Sequence, residues 1–222
     1  MNRYAGLDGC RKGWVVVWIA AGRRTFETID GFDALLGHSF TRAAIDIPIG
    51  IPDAGDRGCD LEARALLGHN RSRVFTGVRR WLFDMPDYPS IGPEARRRGE
   101  KAISRQMHAI LPKIREVDAA MTPALQKRVL ESHPELVFQR LNRGAPLASK
   151  KSPDGRAMRR RLLEVDGFEE LDAWIASLRG SGAKIDDLFD ACACAIAARD
   201  SVTRIPAQPR VDARGLRMEI NY

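Results

Sequence analysis

The feature that most constrains this chain is a helix near its C-terminus, Ile185-Asp-Asp-Leu-Phe-Asp-Ala-Cys-Ala-Cys-Ala-Ile-Ala-Ala-Arg199. Between residues 188 and 198 every position is apolar except Asp190. A helix that is apolar on all faces is a core helix, not an amphipathic one. A carboxylate left unpaired in such a setting costs several kcal/mol or takes up a proton. Asp187 precedes Asp190 by one helical turn and shares its face. Something positive is therefore required opposite the two acids, either a Lys or Arg side chain or a metal ion.

The rest of the chain bounds the search. At 222 residues it reads as a single domain, 1–222, with a mostly helical insertion at about 53–126. The longest unbroken apolar run, 14–21, is too short to span a bilayer, so no membrane role is expected. The opening residues lack a secretory leader pattern, and Cys10, Cys59, Cys192 and Cys194 lack zinc-ligand spacing. Buried free thiols and a reducing, cytoplasmic location are the expectation. The net charge of +7 is uneven: residues 67–161 carry 21 basic and 9 acidic side chains, and the flanking thirds are net acidic. That distribution suits a polyanion-binding surface, or equally a set of solvated arginine-rich helix faces.

Read in order, the chain begins with a strand ending at Asp8, a turn through Gly9, Lys12 and Gly13, and a β-branched strand over 14–20. A third strand, 24–29, and a short helix, 31–37, lead to the run Arg42-Ala-Ala-Ile-Asp-Ile-Pro-Ile-Gly50, whose one acid is Asp46. Three strands in a meander, a helix and a fourth strand place the fourth parallel to the first, because crossovers are short and right-handed. Asp8 and Asp46 then lie at neighbouring C-terminal strand ends, where α/β folds carry their chemistry. From 52 to about 123 the chain turns basic and helical. Loop residues are expected at Pro86, Pro89, Gly92 and Pro93, and a helix over 94–117 that Pro112 kinks or splits. A short strand, 129–131, ends in Glu131; His133-Pro134 opens a helix, with Glu135 a favourable first-turn acid. Lys150 and Lys151 precede a Ser-Pro turn, and 159–161 is a run of three arginines, some of which only solvate their helix. An alternating strand over 216–222 closes the chain.

Asp8, Asp46, Asp187 and Asp190 thus converge, with Glu131 a candidate fifth, and no Lys or Arg set stands at the matching strand ends. Oxygen-only ligation suits Mg2+ or Mn2+, and two such ions can activate water and stabilise a phosphodiester leaving oxygen. The order of elements with these acids resembles the RNase H-like fold, an α/β architecture with a mixed five-stranded sheet, helices on both faces and here a helical insertion after strand four. Asp187-x-x-Asp190-Ala191 most resembles its Holliday-junction-resolvase branch. The chain also resembles the domain-of-unknown-function-429 family, described as predicted nucleases of this fold. The resemblance rests on Gly6-Leu-Asp-Gly-Cys-Arg-Lys-Gly-Trp14, Ile45-Asp-Ile-Pro-Ile-Gly-Ile-Pro52, Arg57-Gly-Cys-Asp-Leu-Glu-Ala-Arg64, Glu131-Ser-His-Pro-Glu135, Ser149-Lys-Lys151 and Asp186-Asp-Leu-Phe-Asp-Ala191. It departs at Thr76-Gly-Val-Arg79, where a Pro is expected before the Arg.

The resemblance implies a nuclease holding two metal ions with Asp8, Asp46, Asp187 and Asp190, with Glu131 completing the shell or positioning water. Asp186 is expected to cap its helix. Arg57, Arg64, Lys150 and Lys151 are candidates for contacts to substrate phosphates of DNA or RNA. Two other readings stand beside it: a nucleotide-binding phosphotransferase or ATPase of the related actin-like fold, and a non-catalytic nucleic-acid-binding module. Against the first, the chain shows no duplicated second domain; against the second, all four acids are present.

Overall fold

A computed structural model describes residues 2–200 and 203–222. The chain divides into two compact units: one formed by Met1–Asp46, Arg128–Thr203 and Asn221–Tyr222, the other by Ile47–Lys127 and Arg204–Ile220. The insertion expected at about 53–126 falls within the second unit, which also recruits 204–220, a stretch with no local mark assigning it there.

The first unit is built on a five-stranded mixed sheet in the order β3-β2-β1-β4-β5. Its strands are β1 (Arg3–Cys10), β2 (Gly13–Ala20), β3 (Arg23–Ile29), β4 (Arg42–Ile45) and β5 (Val129–Glu131). β1, β2 and β3 pair antiparallel, joined by tight turns; β4 pairs parallel to β1, and β5 parallel to β4. This is the fold class expected from the sequence. Helix α1 (Phe32–Leu36) makes the crossover from β3 to β4. It seats Phe32 edge-on against Trp14, with ring centroids 6.3 Å apart.

Strand alternation sorts the two faces. Trp14 of β2 faces α1. Val15, Val17 and Ile19 face the other way, into a core shared with α5 (Pro134–Leu141), α6 (Pro153–Val165), α7 (Leu171–Ser177) and α8 (Ile185–Asp200). α8 is the centre of this layer: residues 188–198 are all buried. It lies on β1 so closely that a Cβ added at Gly6 would stand 2.0 Å from the Ala195 nitrogen and 2.1 Å from the Ala191 oxygen. Small residues on the helix and glycine on the strand answer one another, and a flush fit buries the helix on all sides. Cys192 and Cys194 are part of this packing; burial pushes both thiols well up, so they remain protonated.

In the second unit α2 (Gly58–Leu67) buries Cys59, Ala63 and Leu67. The helix expected over 94–117 is two helices, α3 (Tyr88–Arg97) and α4 (Arg105–Ala120). The break falls between them and not at Pro112, which sits inside α4. Gly99 takes φ 69°, which favours glycine, and the Ser104 hydroxyl then accepts the Met107 N–H at 3.1 Å to start the next helix. α3 occupies the stretch expected as a loop. Asp87 caps it by accepting the Ser90 N–H at 2.9 Å, and Pro89 stands in its first turn, where no N–H is needed.

Several arginines of the basic third are structural. Arg80 donates to Asp118 and Asp212, each at 3.0 Å, and Asp212 also accepts the Ile51 N–H at 3.0 Å and the Leu216 N–H at 2.9 Å. Arg79, 3% exposed, donates to the carbonyls of Gly55, Gly77 and Lys101. At the C-terminus two short strands, β6 (Arg204–Ile205) and β7 (Ile220–Asn221), pair with each other. Of the closing strand expected over 216–222, β7 and an isolated bridge from Arg217 to Val211 form.

Candidate metal centre

Sheet register brings the first two acids together. Gly6 of β1 pairs with Ala44 of β4 and faces α8. Two residues on, Asp8 and Asp46 point to the same side by alternation, and the ladder runs one step further as the Asp46 N–H donates to the Leu7 carbonyl at 3.2 Å. α8 supplies Asp187 and Asp190, whose charges act on Asp8. Burial, then Asp190, Asp46 and Asp187, hold the Asp8 carboxyl well above the ordinary range. Burial is also the main cause for Asp46 and Asp190, each raised to about 6, and for Asp187, which is raised too.

The positive partner that Asp190 requires is Lys150. Its Nζ lies 2.5 Å from Asp190 Oδ2. Burial works against the ammonium, but the attraction of Asp190, Asp8 and Asp46 outweighs it, so the proton is held more tightly than usual. The lysine comes from the loop between α5 and α6, not from a strand end, which is why the strand ends carried no sign of it. Among the described residues, the Lys150 charge acts on all four carboxylates, and Lys184 acts on Asp187 as well. The Lys150 ammonium engages one oxygen of Asp190, and Asp190 Oδ1, on a residue 3% exposed, has no hydrogen-bond partner. A buried carboxylate oxygen without a donor is costly and points to an absent ligand.

A second buried pair fixes the surroundings. Arg159 of α6 and Glu135 of α5, 1% and 5% exposed, form a two-pronged bond at 2.9 and 2.8 Å. Arg159 also donates to the carbonyls of Ala148 and Gly155 at 3.0 and 2.8 Å, so it holds the backbone on either side of Lys150, in the loop and in the first turn of α6. Glu135 adds negative charge beside Asp46 and Asp190. Neither role is visible in the sequence, where Glu135 reads as a first-turn acid and Arg159 as one of three in a row. Of those three, Arg160 pairs on the surface with Glu164 and Asp172, and Arg161 is exposed.

The remaining candidates are placed differently. Glu131 is buried at the end of β5, in register with Ile45, so alternation directs it to the sheet face opposite Asp8 and Asp46. Asp187, not Asp186, satisfies the start of α8: its Oδ2 accepts the Lys184 N–H at 2.8 Å. Asp186 instead faces Arg156 at 3.8 Å. His133 caps α5, its Nδ1 accepting the Glu135 N–H at 3.3 Å. Lys151 is exposed beside Lys150. Arg57, 1% exposed, donates to Asp60 at 2.9 Å and to the Ile49 carbonyl at 3.1 Å within its own unit, and so is enclosed rather than offered to a phosphate. Arg64 gives one nitrogen to the Val74 carbonyl at 2.9 Å.

The model of the family described as "Protein of unknown function (DUF429)" matches residues 6–210. The chain belongs to this DUF429 family. The match takes in β1 from Gly6 on, β4, α5, the Lys150 loop and α8, so every residue of the DUF429 chain's acid cluster lies inside it. No curated protein and no solved structure matches the chain. Among the described residues no helix is long and apolar enough to cross a membrane.

Proposed function

We propose that this DUF429 protein is a divalent-metal-dependent hydrolase of phosphodiester bonds in nucleic acid. The observation that carries the reading is a cluster of four carboxylates in which Lys150 contacts Asp190 alone, and a buried Asp190 oxygen lacks any donor. The donor set is all oxygen, which fits Mg2+ or Mn2+. Asp8, Asp46, Asp187 and Asp190 would hold the metal, with two ions in the full reading. Bound there, the ions would supply Lewis-acid stabilisation of the phosphoryl oxygens and activation of water.

The protein's own part is positioning and charge. Asp8 and Asp46 are fixed by the sheet and Asp190 by a helix that cannot shift without opening the core. Glu135 is held in one orientation by Arg159, which keeps further negative charge behind the cluster. Lys150 at Asp190 and Arg156 at Asp186, with exposed Lys151 next in the chain to Lys150, offer positive charge suited to a phosphate backbone. The basic third of the chain supports a polyanionic substrate.

The test is thermal melting with Mn2+, Mg2+ and Mg2+ plus ATP, on the wild type and Asp190→Asn, followed by hydrolysis assays on single- and double-stranded DNA and RNA. A ligand that binds only the folded state at a hundred times its Kd adds about 2.7 kcal/mol. A Mn2+ shift present in the wild type and lost in Asp190→Asn, with metal-dependent cleavage, is the expected result. Stabilisation by Mg2+-ATP alone would transfer the reading to a phosphotransferase. No shift with any of them would leave Lys150 as the permanent partner of an inert charge cluster.

A further inference from the structure

We infer that Lys150 is the resident cation of this centre, displaced when a divalent ion enters and left within reach of the substrate phosphate. The inference rests on the metal-binding reading above and adds to it how the site is held before the ion arrives.

Four observations carry it. Among the described residues Lys150 is the cation that acts on all four acids, and it touches the most buried of them, with Nζ 2.5 Å from Asp190. Its ammonium occupies one oxygen of that carboxylate and leaves Oδ1 without a partner, so the site is only partly satisfied by it. The Lys150 side chain is 38% exposed against 4% for Asp190, so the lysine has a way out and the acid does not. The backbone around it is pinned. Ala148 accepts from Arg159 at 3.0 Å, the Ser149 carbonyl accepts the Ser152 N–H and hydroxyl at 2.9 and 2.8 Å, and a Cβ at Gly155 would meet the Ser149 oxygen at 2.1 Å.

These facts separate what is fixed from what can move. The loop backbone is held by these bonds, and the lysine stem, with four flexible carbons, is not. A divalent ion among the carboxylates repels an adjacent ammonium twice as strongly as a single charge would, and outcompetes it for the acids. Exchange then needs only a change of side-chain rotamer. Because its Cα stays in place, the released ammonium remains beside the site as a point charge suited to a phosphate oxygen.

Titration calorimetry of Mn2+ into the wild type, Lys150→Met and Lys150→Arg tests the exchange. Removing the competing cation is expected to tighten Mn2+ binding by about tenfold in Lys150→Met, on the order of one charge-assisted contact. Lys150→Arg, which keeps the charge, is expected to stay near the wild-type value. If Lys150→Met binds Mn2+ no more tightly than a wild type that does bind it, the exchange is wrong and the metal reading stands. If the wild type and both variants take up no Mn2+, both fall together. A second measurement needs no substitution: reductive methylation of the folded wild type, read by mass spectrometry with exposed Lys151 as reference. Lys150 is expected to react slowly without metal and several-fold faster with saturating Mg2+; a rate that Mg2+ leaves unchanged would overturn the proposal.

Discussion

At the scale of single residues, the cluster makes the metal-free protein pay in stability for its acids. Asp46 holds its proton to about pH 6 in the folded chain, against an ordinary value of 3.8, mainly because it is buried. A carboxyl whose folded pKa is raised binds more protons folded than unfolded between those two values. Stability is therefore lost as pH rises from about 4 to 6, and the cost persists above that range. Removing the ionisable group removes the cost: in EDTA, Asp46→Asn is expected to be more stable than the wild type at pH 7.5, by about 3 kcal/mol at most, and no more stable at pH 4. Urea denaturation at the two pH values measures this, and an Asn variant less stable at pH 7.5 would show that the carboxylate is favourably paired. The Arg159–Glu135 bond behaves in the opposite way, because both partners are enclosed. Arg159→Leu strands a buried carboxylate and is expected to cost about 3–5 kcal/mol, whereas the double change Arg159→Leu with Glu135→Leu recovers much of it. A double-mutant cycle in denaturant gives the coupling, and strictly additive losses would remove the clamp from the account.

At the scale of elements, everything depends on α8 lying flush against β1. Gly6→Ala would drive a Cβ to 2.0 Å from the Ala195 nitrogen, against backbone that cannot give. We expect a loss of about 3 kcal/mol and a fall in Tm of roughly 10 °C by calorimetry, with any Mn2+ response weakened because Asp8 and Asp190 are carried by the two elements pushed apart. An unchanged Tm would mean the helix is not seated as described. The same two elements show what a sequence can reveal. Asp190 stands out because ten apolar neighbours surround it in 188–198, and Asp8 and Asp46 because each ends an apolar run at a turn. These are local contrasts, readable without a fold. Lys150, Glu135 and Arg159 carry no such contrast: their roles arise from how α5, α6 and their loop meet α8, and a lysine in a polar loop looks the same whether it ends in water or against a buried acid. Glu131 shows the reverse failure. It ends a strand as Asp46 follows one, but it is one residue short of the matching register, and with a side-chain period of two that shift turns it to the opposite face.

At the scale of the whole molecule, charge and chemistry are divided between the two units. The second unit carries 18 Lys and Arg against 12 Asp and Glu, so it holds nearly all of the chain's +7. The acid cluster lies entirely in the first unit, whose own balance is close to neutral. Many arginines of the second unit are spent on structure, Arg57, Arg79 and Arg80 among them. Arg71, Arg96, Lys101 and Arg105 are exposed, and none of the ion pairs described involves them. If nucleic acid is the substrate, affinity and cleavage should therefore separate by mutation. Binding to a phosphate backbone weakens with salt, with a slope in log K against log[salt] of about −0.9 for each phosphate neutralised on duplex DNA. Asp190→Asn is expected to abolish cleavage while leaving that slope unchanged or slightly steeper, because it removes negative charge and no phosphate contact. Replacing Lys101 and Arg105 with Ala is expected to flatten the slope by about one for each side chain that contacts a phosphate, uniformly across sequences, while the Mn2+ affinity of the acid cluster stays as in the wild type. Fluorescence anisotropy on one labelled duplex at 50–200 mM salt reads the first quantity, and calorimetry the second. A slope that these two substitutions leave untouched would move the backbone contacts off this part of the second unit, and would direct the search to Lys151, Arg156 and Arg161, which are exposed in the first unit.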